Sequence, residues 1–161
     1  MHFDFEKVFE DEFASIEIDP GQGFMVVIWH QHPDSDTFRR CFSLAASFTL
    51  SRKCRFWLSD ARAVHYLEFA DQNWMLHEMV PLLGNSSLCK FARINSEESF
   101  SLLDVGRILD NLDASPYIQI AVEVALFIDR QQALNWLFPG ADQEEEAFFQ
   151  KWAKSAPLAL S

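Results

Sequence analysis

Residues 54–60 read CRFWLSD, and the run FADQNWMLHEMVPLL at 69–83 comes shortly after; together they constrain the fold more than any other part of the chain. The first is short and mostly apolar, carries two aromatics and no Gly or Pro, and ends in the polar pair Ser59 and Asp60. That pattern predicts a strand buried on both faces. In the second, Met75, Met79, Leu82 and Leu83 recur at helical spacing with Asn73 and His77 on the other side, so the period switches from 2 to 3.6. A strand feeding a helix through a short loop is half of a βαβ unit, and open sheets of such units hold ligands and switches at the carboxyl ends of their strands. Ser59, Asp60 and Arg62 stand at that end and are the first candidates for a ligand or partner site.

The 161 residues are enough for one domain with a core that needs neither disulfides nor metal. With 49% hydrophobic residues and 16 Phe the chain is globular. Thirteen basic against 24 acidic residues leave a formal charge of −11, which repels a nucleic-acid backbone or an anionic membrane surface. Cys41, Cys54 and Cys89 are odd in number and lie in apolar stretches, as buried reduced thiols do. The acidic opening HFDFEKVFEDEF and the lack of an apolar run of about 18 residues predict no signal peptide, no membrane insertion and a cytoplasmic protein.

In chain order, residues 1–12 are an N-terminal arm or an extra edge strand. Residues 13–18, the turn DPGQG and the strand FMVVIW predict an antiparallel hairpin with a loop of about five residues. Asp34, Ser35 and Asp36 can each cap a helix whose stripe is Phe38, Cys41, Phe42, Ala45 and Phe48, with Arg52 and Lys53 at its negative end. The second helix closes at Gly84 as a left-handed stop, bent or loosened by Pro81. LCKFARI is the next strand, and Asn95 with Glu98 forms a capping box for a helix carrying Phe100, Leu103 and Ile108. Residues 118–126 alternate as a strand, Asp129 caps a short helix with Ala133, Trp136 and Leu137, and 142–155 form a last amphipathic helix. The expected fold is α/β: a mixed sheet, with an N-terminal hairpin and βαβ units, covered by helices over residues 13–138 and extended by a helix and tail at 139–161.

The segments FMVVIW, FWLSDAR, DQNWM, KFARI and FIDRQQALNWL resemble the bacterial branch of the STAS family (sulfate transporter and anti-sigma-factor antagonist domains), a branch often grouped with lipid-binding CRAL-TRIO proteins. The resemblance spans about residues 13–137. It implies a single STAS-like domain acting as a non-enzymatic regulatory or interaction module. In anti-sigma antagonists a phosphorylatable serine follows an aspartate at the end of the third strand. Here Ala61 follows Asp60, Ser59 precedes it, and the glycine-rich continuation is missing, so the resemblance implies a module without the usual phosphoserine.

Other chemistries weigh less. His30 and His32 flank Gln31, but two imidazoles do not make a closed metal site, so neither a metal nor a cofactor is expected. Asp60 and Arg62 with His65 as a base could make an acid–base set; residues two apart more often form a local ion pair, and no nucleophile motif or phosphate loop accompanies them. No catalytic residue is expected. Trp57 and Trp74, with Trp136, Met75 and Met79, either line a pocket for a small apolar molecule or fill a core. Phe148, Phe149 and Trp152 either pack back on the sheet or dock on a partner. Two functions remain: an interaction module, with a protein partner or a homodimer through the hairpin or the tryptophan-bearing helix, or a carrier of a lipid-like ligand. A filled core with an exposed aromatic patch favours the first and an enclosed apolar cavity the second.

Overall fold

The computed structural model describes residues 2–98 and 122–140. The expected helix over 100–112, the start of the strand at 118–121 and the helix at 142–155 lie outside the described residues.

Among the described residues six strands form one sheet in sequence order: β1 (Glu6–Glu10), β2 (Ala14–Asp19), β3 (Phe24–Trp29), β4 (Phe56–Asp60), β5 (Lys90–Ile94) and β6 (Glu123–Phe127). Neighbours among the first three pair antiparallel, and β3 to β6 run parallel. The sheet is therefore mixed, and β4 lies inside it between two parallel partners. That position explains its two-faced apolar sequence, because helices or other chain cover both sides of a parallel sheet. The N-terminal residues supply an edge strand, β1, which carries Glu6, Lys7 and Glu10 and a register shift between Lys7 and Phe9. Charge and irregularity of this kind keep an open edge from pairing with another chain.

The hairpin loop holds four residues, 20–23, where about five were expected. Asp19 organises it: Oδ1 accepts from the Gln22 N–H at 3.1 Å, and Oδ2 accepts from the Asp4 N–H at 2.8 Å, which ties down the N-terminal arm. Gly23 has φ +61°, and its carbonyl accepts from both Arg55 and Phe56 N–H groups, at 2.7 and 3.0 Å. A Cβ there would stand 3.3 Å from the Arg55 nitrogen, so the turn needs glycine for angle and for space.

Alternation along β3 divides the core. Met25, Val27 and Trp29 join Trp57 against Phe38, Phe42 and Ala45 of α1 (Ser35–Ser51). Phe24, Val26 and Ile28 join Leu58 and Ile94 against Leu134 and Leu137 of a short C-terminal helix (Arg130–Leu137) and against Phe3. Both helices start as the sequence predicts. Asp34 accepts from the Thr37 N–H at 2.8 Å, and Asp129 accepts from Gln131 and Gln132 N–H groups.

The second crossover departs from the sequence-based expectation. It begins as α2 (Phe69–Trp74), widens into a π turn (Met75–Met79) and closes as α3 (Val80–Gly84); the helix at Arg130–Leu137 is then α4. The Val80 N–H reaches back five residues to the Met75 carbonyl, immediately before Pro81, which has no N–H to offer. The extra residue rotates the remainder of the helix. Leu76 is buried and Leu82 is 40% exposed, although regular helical spacing placed Leu82 on the inner stripe. Gly84 does not take a left-handed conformation; Asn85 Nδ2 donates to the Pro81 carbonyl and Ser86 Oγ to that of Leu83, and these bonds finish the helix. The capping box at Asn95 is also corrected. Its side chain is buried with neither polar atom hydrogen-bonded among the described residues, while its N–H extends the β5–β6 ladder to the Phe127 carbonyl. Cys41 and Cys54 are buried thiols, but Cys89 is exposed just before β5.

Candidate functional site

The carboxyl ends of β3, β4 and β5 lie side by side, and successive residues of β4 point to opposite faces of the sheet. Ser59 is paired with Val27 and Arg93 and is buried on the face that Trp57 shares. Asp60, the last residue of β4, is buried as well. Arg62 closes back on it: Nε donates to Oδ1 at 2.8 Å and Nη2 to Oδ2 at 2.6 Å, and the Arg62 N–H adds a bond to Oδ1 at 3.3 Å. The hydrogen bond to Asp60 holds the Arg62 guanidinium above its ordinary pKa against the opposing effect of burial. Arg130, at the start of α4, is shifted the other way, by burial first and then by the charge of Arg62, with Asp60 and Asp129 opposing. The pair is thus the local ion pair that a two-residue spacing favours, with a carboxylate already engaged on both oxygens.

His65 belongs to a different arrangement. Its N–H donates to His32 Nδ1 at 3.1 Å and the two rings stack at 5.4 Å, with Tyr66 4.5 Å from His32 on centroids. An imidazole that accepts at Nδ1 is neutral and carries its proton on Nε2. The His32 pKa is accordingly lowered, by burial first and then by His65, with Glu68 opposing. His30 is lowered mainly by burial, and its Nε2 has no partner among the described residues. No group of three or more His, Cys, Asp or Glu side chains among them could hold a metal ion.

The two tryptophans share a neighbour, Phe42. Trp57 is 1% exposed, with its ring 5.0 Å from both Phe42 and Phe91. Trp74 is half-buried and packs edge-on against Phe42 at 6.0 Å, with the Arg39 guanidinium 5.5 Å over its ring. Phe42 fills the space between them.

An open cleft of about 320 Å³ lies between the β3–α1 loop and the β4–α2 loop. His32, Asp34, Tyr66, Glu68 and Asp71 surround it over Phe38. At its floor Asp71, with a side chain 4% exposed, accepts at Oδ1 from Ser35 Oγ and from Arg39 Nε, both at 2.7 Å. No described residue donates to Oδ2. Tyr66 of the cleft is 51% exposed, and Phe69, which follows Glu68 in the chain, is 62% exposed. Sequence reasoning missed the cleft, although one signal was present: Asp71 sits four residues before Met75 on the same helical stripe, a carboxylate facing inward.

The chain is a mixed α/β protein whose site-bearing loops cluster at the carboxyl ends of parallel strands. No family model matches the sequence, and no curated protein matches it. Among solved structures it is similar to an uncharacterised protein of the DUF3478 family with a SpoIIAA-like fold, from Shewanella loihica PV-4. The two are 15% identical, with 84% of this chain and 92% of that chain covered and a TM-score of 0.48. Among the described residues no helix is long and apolar enough to cross a membrane.

Proposed function

We propose that the protein is a non-enzymatic, STAS-like regulatory module that works in the cytoplasm through protein contacts and without a phosphoserine switch. The observation that carries this reading is the disposition of the aromatics: Trp57 and Trp74 are packed through Phe42, while Tyr66 stands exposed at an open cleft and Phe69 is exposed next in sequence to the cleft residue Glu68. Exposed aromatics next to a concavity suit a partner surface, whereas a carrier of apolar molecules needs an enclosed pocket. Burial of Ser59 supports the second half of the proposal, because a kinase needs the hydroxyl presented on a loop. Asp60 supports the non-enzymatic reading, since both of its oxygens already accept hydrogen bonds from Arg62.

Native mass spectrometry on protein purified from its own host tests the proposal. The expected result is a complex with a protein partner or a second copy, lost when Tyr66 and Phe69 are both changed to Ala. A monomer that retains a small apolar molecule would replace the module with a carrier.

A further inference from the structure

We propose that the cleft between the β3–α1 and β4–α2 loops takes a cationic side chain, with arginine the best fit, from a basic segment of the partner protein. The inference rests on the interaction-module reading and names the chemistry of its docking place. Three observations lead to it.

The first is charge. Glu68 and Asp34 are exposed at the rim, and the chain as a whole is −11; the floor carboxylate of Asp71 is paired with Arg39. The amino end of α1, which would otherwise attract an anion, is already occupied by the Asp34 carboxylate. A phosphate or carboxylate ligand is therefore repelled and a cation is drawn in. The second is the buried carboxylate itself. Asp71 has Oδ1 engaged twice while Oδ2 receives no donor from the described residues. A carboxylate oxygen at a cleft that no described group engages favours a hydrogen-bond donor, and a charged donor most. The third is the wall. Tyr66 is half exposed with Phe38 beneath the cleft, so an alkyl stem can lie on apolar surface while its charged head meets an aromatic face. The fold already contains this pairing next door, where Arg39 donates to Asp71 and lies over the Trp74 ring.

The test is an NMR titration of the full chain with three capped peptides, Gly-Leu-X-Leu-Gly, where X is Arg, Gln or Glu, and with argininamide alone. The expected result is saturable shifts from the Arg peptide in the amides of residues 32–38 and 66–71, with the Gln and Glu peptides weaker. Glu68→Gln and Tyr66→Ala, both exposed positions, should each weaken the Arg peptide about threefold to fivefold, the scale of one exposed ion pair or cation–π contact. Equal binding of the Gln peptide, stronger binding of the Glu peptide, shifts elsewhere, or no shifts at millimolar peptide would each overturn the proposal. Argininamide binding as tightly as the peptide would also overturn it, by making the cleft a small-cation site. Native complexes that survive Tyr66→Ala and Glu68→Gln would remove the cleft as docking place and leave the module reading standing.

Discussion

Arg62 grips Asp60 through a fork of two hydrogen bonds, at 2.8 and 2.6 Å, where the carboxylate side chain is only 3% exposed. Removing one member of a buried pair leaves an uncompensated charge, which costs more than the pair itself contributes. Arg62→Met should lower stability by about 3 kcal/mol in urea unfolding, and Asp60→Leu with Arg62→Met should cost less than the sum of the single changes. A loss under about 1 kcal/mol for Arg62→Met would mean that nearby Arg130 holds Asp60 unaided.

His30 and His32 set a pH dependence. Both pKa values lie below the ordinary 6.5, chiefly through burial; Glu10, Asp11 and Asp60 oppose the shift at His30, Lys7 adds to it, and at His32 the charge of His65 adds while Glu68 opposes. The unfolded chain therefore takes up protons before the folded one does as pH falls. The stability these two residues contribute is complete above about pH 6.5 and is lost as pH drops through their folded values. Thermal unfolding should show Tm falling from pH 7 to pH 5, and His32→Gln, which keeps an acceptor for the His65 N–H but cannot titrate, should flatten the slope. An unchanged slope in a His30→Gln, His32→Gln double variant would remove these groups as the cause.

Trp57 separates packing from polarity. Its Nε1 is buried without an acceptor among the described residues, so Trp57→Phe loses no hydrogen bond and keeps a ring between Phe42 and Phe91. The expected cost is about 1–2 kcal/mol, against about 3–5 kcal/mol for Trp57→Ala, which leaves a cavity. Similar costs for both would show that the second ring of the indole, and not the aromatic contact, carries the packing.

The cysteines give a chemical readout of burial. Cys89 is exposed, while Cys41 and Cys54 are buried and their thiols are pushed up, that of Cys54 to about 11. Because the thiolate is the reactive form, a native thiol-labelling reaction should go to completion at one site and reach three only in denaturant. Two fast sites in the native protein would contradict the packing of α1 on the sheet.

The features legible in the sequence were local. The two-faced apolar run ending at Asp60, the hairpin around Gly23 and the caps at Asp34 and Asp129 each depend on neighbours a few residues away. Expectation and structure part where one local rule meets another. Pro81 and the π turn before it moved Leu82 outward and brought Leu76 in, and Asn85 and Ser86 ended a helix that Gly84 was expected to end.

The amino-acid order by itself determined the strands β2 to β5, the capped start of α1, the interior place of β4 and the acidic character of the molecule, because side-chain period and charge are written into consecutive residues. The tertiary structure alone decided the cleft. The His65 N–H meets His32 across 33 residues, and Ser35 meets Asp71 across 36. Such pairs exist only once two crossover loops have closed at the same end of the sheet, and no periodicity along the chain encodes the distance between them.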